Sequence, residues 1–127
     1  MTTDEIQQII SYAYPKIQAY YGKGKLSIPK IDTSHNNTYA MHSGEPEAEG
    51  EQDDCHAEFD RTDNSIVIYY PNMKSREHII QTLVHEYQHY LQSPSWFKRY
   101  YDMGYHYGNH PYEVQAYGEE KNWVLFT

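Results

Sequence analysis

Apolar residues recur along this chain at two periods, helical and alternating, and the pattern divides it into elements. Over residues 4–21, Ile6, Ile9, Ile10, Ala13, Ile17 and Tyr20 return at helical spacing. Thr3 or Asp4 is placed to cap that helix, Pro15 predicts a kink or an early end, and Gly22-Lys23-Gly24 closes it. Residues 25–31 alternate, with Leu26 and Ile28 on one face, and Pro29 restricts them to an edge strand. A second strand is predicted at 37–41 and a loop at 43–54, where Gly44, Pro46 and Gly50 interrupt a run of acids. Residues 55–60 and 65–70 predict two strands joined by a hairpin turn at 61–64. Residues 75–92 are the strongest helix: Ile79, Ile80, Leu83, Val84, Tyr87, Tyr90 and Leu91 form its stripe, Ser75 caps it and Pro94 stops it. A Tyr- and Gly-rich connection is expected over 96–108. A last helix begins at Pro111, capped by Asn109 or His110, and runs to about Val124.

The sum is an α+β fold: an N-terminal helix, a small mixed sheet and two further helices. At 127 residues it is read as a single domain, 1–127, around one core. Fifteen tyrosines predict a core rich in rings whose hydroxyls must find partners or water.

Charge changes the picture in one place. The formal net charge is −8. Eight acids and no Lys or Arg fall between Glu45 and Asp60, and the remaining ten acids balance ten bases. With no basic cluster, nucleic acid is not an expected partner. No apolar run approaches the roughly 20 residues of a membrane helix. The acidic start lacks a signal-peptide pattern and the single Cys55 has no disulfide partner, so the expected location is cytoplasmic. The acidic stretch reads as a solvated loop, a rim selecting basic peptides, or a plug over a site. A calcium loop is not supported, because its Asp/Asn spacing is missing.

The candidate chemistry lies elsewhere, in His85-Glu86-Tyr87-Gln88-His89, an HExxH motif. Residues four apart on a helix share a face, so His85 and His89 can bind one metal ion, with Glu86 close by but not a ligand. Imidazole suits zinc, and a catalytic zinc takes three protein ligands. A His close downstream is excluded, because Gln92 and Ser95 stand where a Gly and a third His would be. The best third ligand is Glu113, 24 residues after His89, on the first turn of the last helix, with small Ala116 one turn on. Glu119 and Glu120, read as a solvated face, and His106 and His110 are its rivals. The bland alternative is a pair of core histidines satisfied by hydrogen bonds.

An HExxH helix followed by a Pro-Tyr-Glu-x-x-Ala helix resembles the gluzincin branch of zinc metallopeptidases. It is similar to compact members: minigluzincins, ImmA/IrrE-type peptidases and SprT-like domains. The resemblance covers about residues 65–124. It implies a zincin-like fold and one Zn2+ per chain held by His85, His89 and Glu113. It also implies peptide-bond hydrolysis by a zinc-activated water, with Glu86 as general base and acid. Larger gluzincins place an Asp four residues after the glutamate ligand to orient the first His; here that position is Tyr117. SprT-like proteins often add a DNA-binding region, for which this chain has no counterpart.

A donor for the developing oxyanion is expected among Tyr105, Tyr107, Tyr112, His106 and His110, with Tyr112 and His110 favoured. His78 reads as exposed, or as support for the metal site. His35, His42 and His56 lack ligand spacing, and Cys55 reads as a buried strand residue. The expected partner is a peptide or protein substrate. Two other readings are a catalytically silent zinc- or partner-binding module of the same fold, and an acidic mimic that inhibits a basic partner.

Overall fold

Thr2 opens the first helix. Its hydroxyl accepts from the Glu5 amide at 3.1 Å, and its own amide donates to the Glu5 carboxylate at 2.7 Å, a reciprocal capping box. In this computed structural model, which describes residues 2–34, 57–69 and 73–127, helix α1 spans Thr3–Tyr21. It buries Ile6, Ile9, Ile10, Ala13, Tyr14 and Ile17. Pro15 does not end it. Ser11, whose carbonyl loses its partner, and Pro15 both lie on the solvent face, where water can take the missing bond. The end comes at Gly22, whose φ of 83° and ψ of 179° suit only glycine.

Residues 25–29 do not form the expected strand. Leu26 and Ile28 are exposed, and tyrosine hydroxyls tether the segment: Tyr90 donates to the Leu26 carbonyl and Tyr14 to the Pro29 carbonyl at 2.7 Å. Strand β1 is Lys30–Ser34, starting directly after the proline that cannot donate to a ladder. Strands β2 (Ala57–Asp60) and β3 (Ser65–Tyr69) form the predicted hairpin, with Asn64 at φ 52° in its turn. The sheet order is β1-β3-β2, with β1 parallel and β2 antiparallel to the central strand. All of β3 is buried, as expected of a central strand. The predicted strand 37–41, the acidic loop 43–54, Cys55, His35, His42 and His56 lie outside the described residues.

Helix α2 (Arg76–Leu91) is capped by Ser75, whose hydroxyl accepts from the His78 amide at 3.2 Å. From Thr82 to Tyr90 every residue is buried, polar ones included. α1, the sheet and the C-terminal elements surround it, so its His face is as enclosed as its apolar stripe. Where a connection was expected, Pro94 starts helix α3 (Pro94–Asp102). The proline that stops α2 occupies the first position of the next helix, which needs no amide donor. A 3-10 turn (Tyr107–Asn109) leads into helix α4 (Pro111–Glu119), and the winding tightens to a 3-10 segment over Glu120–Phe126. The last α-helix thus ends earlier than expected. Trp123 and Phe126 from that 3-10 segment pack on the core formed by α1, β3 and α2. The described residues form a small α+β domain with four helices and a three-stranded mixed sheet. Among the described residues no helix is long and apolar enough to cross a membrane.

Candidate metal centre

Helical spacing puts His85 and His89 on one face of α2, and the first turn of α4 brings Glu113 opposite them. The exposures are 7%, 8% and 3%. Glu113 bridges the pair: its Oε1 lies 3.0 Å from His85 Nε2 and its Oε2 3.1 Å from His89 Nε2. One donor atom from each of the three residues falls within 4.8 Å of the others. They form a buried His-His-Glu group able to bind a metal ion.

Each imidazole is also held from behind. His85 Nδ1 donates to Glu120 Oε2 at 2.7 Å, and His89 Nδ1 donates to Gln92 Oε1 at 2.7 Å. A carboxylate or amide on Nδ1 fixes the ring and leaves Nε2 directed at the site. The Gln92 amide donates to the Tyr112 carbonyl at 3.0 Å and to Gln115, which donates to Gln88 at 2.9 Å. This amide chain ties the end of α2 to α4, so the elements carrying the three donors are braced together.

Burial alone would lower the His85 pKa, but hydrogen bonds to Glu113 and Glu120 outweigh it and hold the metal-free ring up at about 10. His89 moves the same way against its own burial, through Glu113 and Glu86. Burial would raise Glu113, but the two imidazoles hold it at about 2. Glu86 follows the opposite logic. It is buried beside the pair without a direct partner of that kind, and burial pushes its carboxyl up despite the nearby imidazoles, with Glu113 and Glu58 adding to the effect.

The expected oxyanion donors fall in different surroundings. His110 is fully buried with both ring nitrogens engaged: Nε2 donates to the Phe97 carbonyl at 2.9 Å and Nδ1 accepts from the Tyr112 amide at 3.1 Å. It caps α4. Tyr112 turns toward α3, its ring 5.6 Å from Tyr100 and 6.3 Å from Phe97. Two other phenols, Tyr107 and Tyr117, are raised by desolvation first and then by the charge of Glu113. The Tyr117 ring meets His85 edge-on at 4.6 Å. Tyr107 is 47% exposed as a residue, yet desolvation, with the charge of Glu113 adding to it, pushes its phenol well above the usual range. Tyr105 is exposed, and His106 caps the 3-10 turn.

Of the rival acids, Glu119 accepts from Tyr21 at 2.9 Å and joins α1 to the C-terminal segment. Glu120 is not the solvated residue expected but the carboxylate behind His85. Sequence reasoning sought that support four residues after Glu113 and found Tyr117. The chain supplies it seven residues after, where the tighter 3-10 winding brings Glu120 back toward α2. Gln92 stands in sequence where a glycine would be, and nothing in its spacing marks it as the partner of His89. His78 lies at the far end of α2, its Nδ1 accepting from the Lys74 amide at 3.2 Å. A scan against protein-family models, a search of curated proteins and a search of solved structures each found no match to this chain.

Proposed function

We propose that this chain is a zinc-dependent metallopeptidase with a zincin-like fold of the gluzincin kind. One observation carries the reading: two buried imidazoles, each held at Nδ1, turn Nε2 onto a buried glutamate from another helix, beside a second buried glutamate outside the donor set. Two nitrogens and one carboxylate oxygen are a donor set that suits zinc and leaves it an open position. His85, His89 and Glu113 would hold the ion. When bound, Zn2+ supplies positive charge that acidifies a water and polarises a carbonyl.

The chain's own residues do the rest. Glu86, with its carboxyl raised by burial, takes a proton from the attacking water and returns it to the leaving amine as the C–N bond breaks. Tyr107 and Tyr117 stay protonated, because desolvation and Glu113 hold their pKa values up. Protonated phenols can donate to the oxygen on which charge develops. They suit that role better than His110, whose nitrogens are both occupied, or Tyr112, whose ring packs toward α3.

The test is metal content together with turnover. The purified chain should hold about one zinc, and His85→Ala or Glu113→Ala should lose it. Glu86→Gln should keep the metal and lose cleavage of a casein-type substrate. Full zinc retention in both ligand variants would sink the metal assignment, and undiminished cleavage by Glu86→Gln would sink the catalytic one.

A further inference from the structure

Arg61 begins the turn between β2 and β3, and its side chain reaches back to the C-terminal half of α2. One Nη2–H donates to the His89 carbonyl at 3.0 Å. The guanidinium lies 5.3 Å from the centre of the Phe59 ring and 6.0 Å from that of Phe97. It is partly buried, yet no carboxylate among the described residues pairs with it. Its neighbour Asp60 commits Oδ1 to the amides of Thr62 at 3.0 Å and Asp63 at 3.3 Å, and Glu58 accepts from the Tyr69 hydroxyl at 3.0 Å. Among the described residues, a fork of five N–H donors therefore has one of them taken.

A helix-capping role accounts for that one donor. The remainder of the guanidinium plane, flanked by two rings that limit water around it, is matched to the two oxygens of a carboxylate. We propose that Arg61 is a carboxylate receptor beside His89, and that the peptides this chain takes carry a carboxylate, on an acidic side chain or a free C-terminus, in the segment that runs past the end of α2. The inference rests on the peptidase reading and adds the chemistry of the substrate to it. The desolvated surroundings strengthen such a charge-assisted bond.

The test separates the two readings by measuring binding and cleavage apart. Fluorescent peptides identical except at one position (Glu against Gln) or at the C-terminus (free against amidated) are titrated onto zinc-loaded full-length Glu86→Gln, followed by anisotropy. A carboxylate should tighten binding about tenfold or more, as a charged hydrogen bond does, and the Glu and free-terminus arms tell which source is read. Adding Arg61→Gln should bring the ratio within about twofold, while Arg61→Lys keeps part of it. Circular dichroism and zinc content check that each variant is folded. Equal binding of all peptides, no binding of any, or a preference that survives Arg61→Gln overturns the receptor. Arg61-dependent binding without cleavage by the unmutated chain keeps the receptor and removes the peptidase.

Discussion

Glu86 and Glu113 sit in one buried cluster and are driven in opposite directions. Glu113 touches two imidazoles and stays ionised; Glu86 lacks such contacts and is pushed toward its neutral form by burial. Under the proposed function, that divergence would assign one carboxylate to binding and the other to proton transfer. The same residue-scale logic gives Glu120 its part. In the proposed site it would be a positioning residue, acting on a metal through the His85 ring. Glu120→Ala should lower zinc affinity about 10- to 100-fold, as loss of such outer partners does, and competition against a chelator of known affinity measures it. Unchanged affinity would return Glu120 to the solvated face on which its sequence position first put it.

At the scale of elements, tyrosine hydroxyls replace a backbone ladder where α2 meets the connection between α1 and β1. Tyr87 donates to the Gly22 carbonyl at 2.6 Å. Tyr90 accepts from the Gly24 amide at 2.9 Å and donates to the Leu26 carbonyl. The connection between α1 and β1 thus hangs on the helix that bears His85 and His89. Tyr90→Phe keeps the ring and leaves both backbone groups without that partner. It should cost about 1–3 kcal/mol of stability, read as a lower urea midpoint with an unchanged slope. A midpoint equal to that of the parent chain would mean that water replaces the hydroxyl at no cost. The elements themselves were largely legible. Periodicity found α1, α2, the β2–β3 hairpin and the start of α4, each marked by an apolar stripe or a cap. It missed α3, because that helix buries no residue and so leaves no core-facing stripe to detect. It also misplaced the strand expected at 25–31: tyrosine tethers hold 25–29, and the ladder begins only at Lys30.

For the whole molecule, the charged cluster sets a pH window. His85 is raised from 6.5 to about 10, so its contribution to metal-free stability is complete below 6.5 and is lost as pH rises through about 10. Glu113 is lowered from 4.5 to about 2, so its contribution is complete above 4.5 and is lost as pH falls through about 2. Metal-free stability from this pair should be flat between 4.5 and 6.5 and decline on both sides. Zinc competes with the same protons. At pH 7 the metal-free ring of His85 is charged, so uptake should release at least one proton, and affinity should rise with pH by up to about tenfold per unit for each proton displaced. Calorimetry in two buffers of different ionisation enthalpy counts those protons, and none released would contradict the raised His85.

The HExxH spacing and the first-turn position of Glu113 were determined by the sequence itself. Both depend on the fixed pitch of a helix, a local property that residue order carries without knowledge of neighbours. The net charge of −8 is equally a matter of sequence, and its concentration between Glu45 and Asp60 leaves the metal cluster in the balanced remainder. Only the tertiary structure decided which groups stand behind His85 and His89. Glu120 reaches His85 because the winding tightens after Glu119, and Gln92 reaches His89 because α2 ends there. Arg61 lies beside the same helix because a hairpin turn folds over it. These contacts join parts of the chain through packing, and packing leaves no period in the sequence.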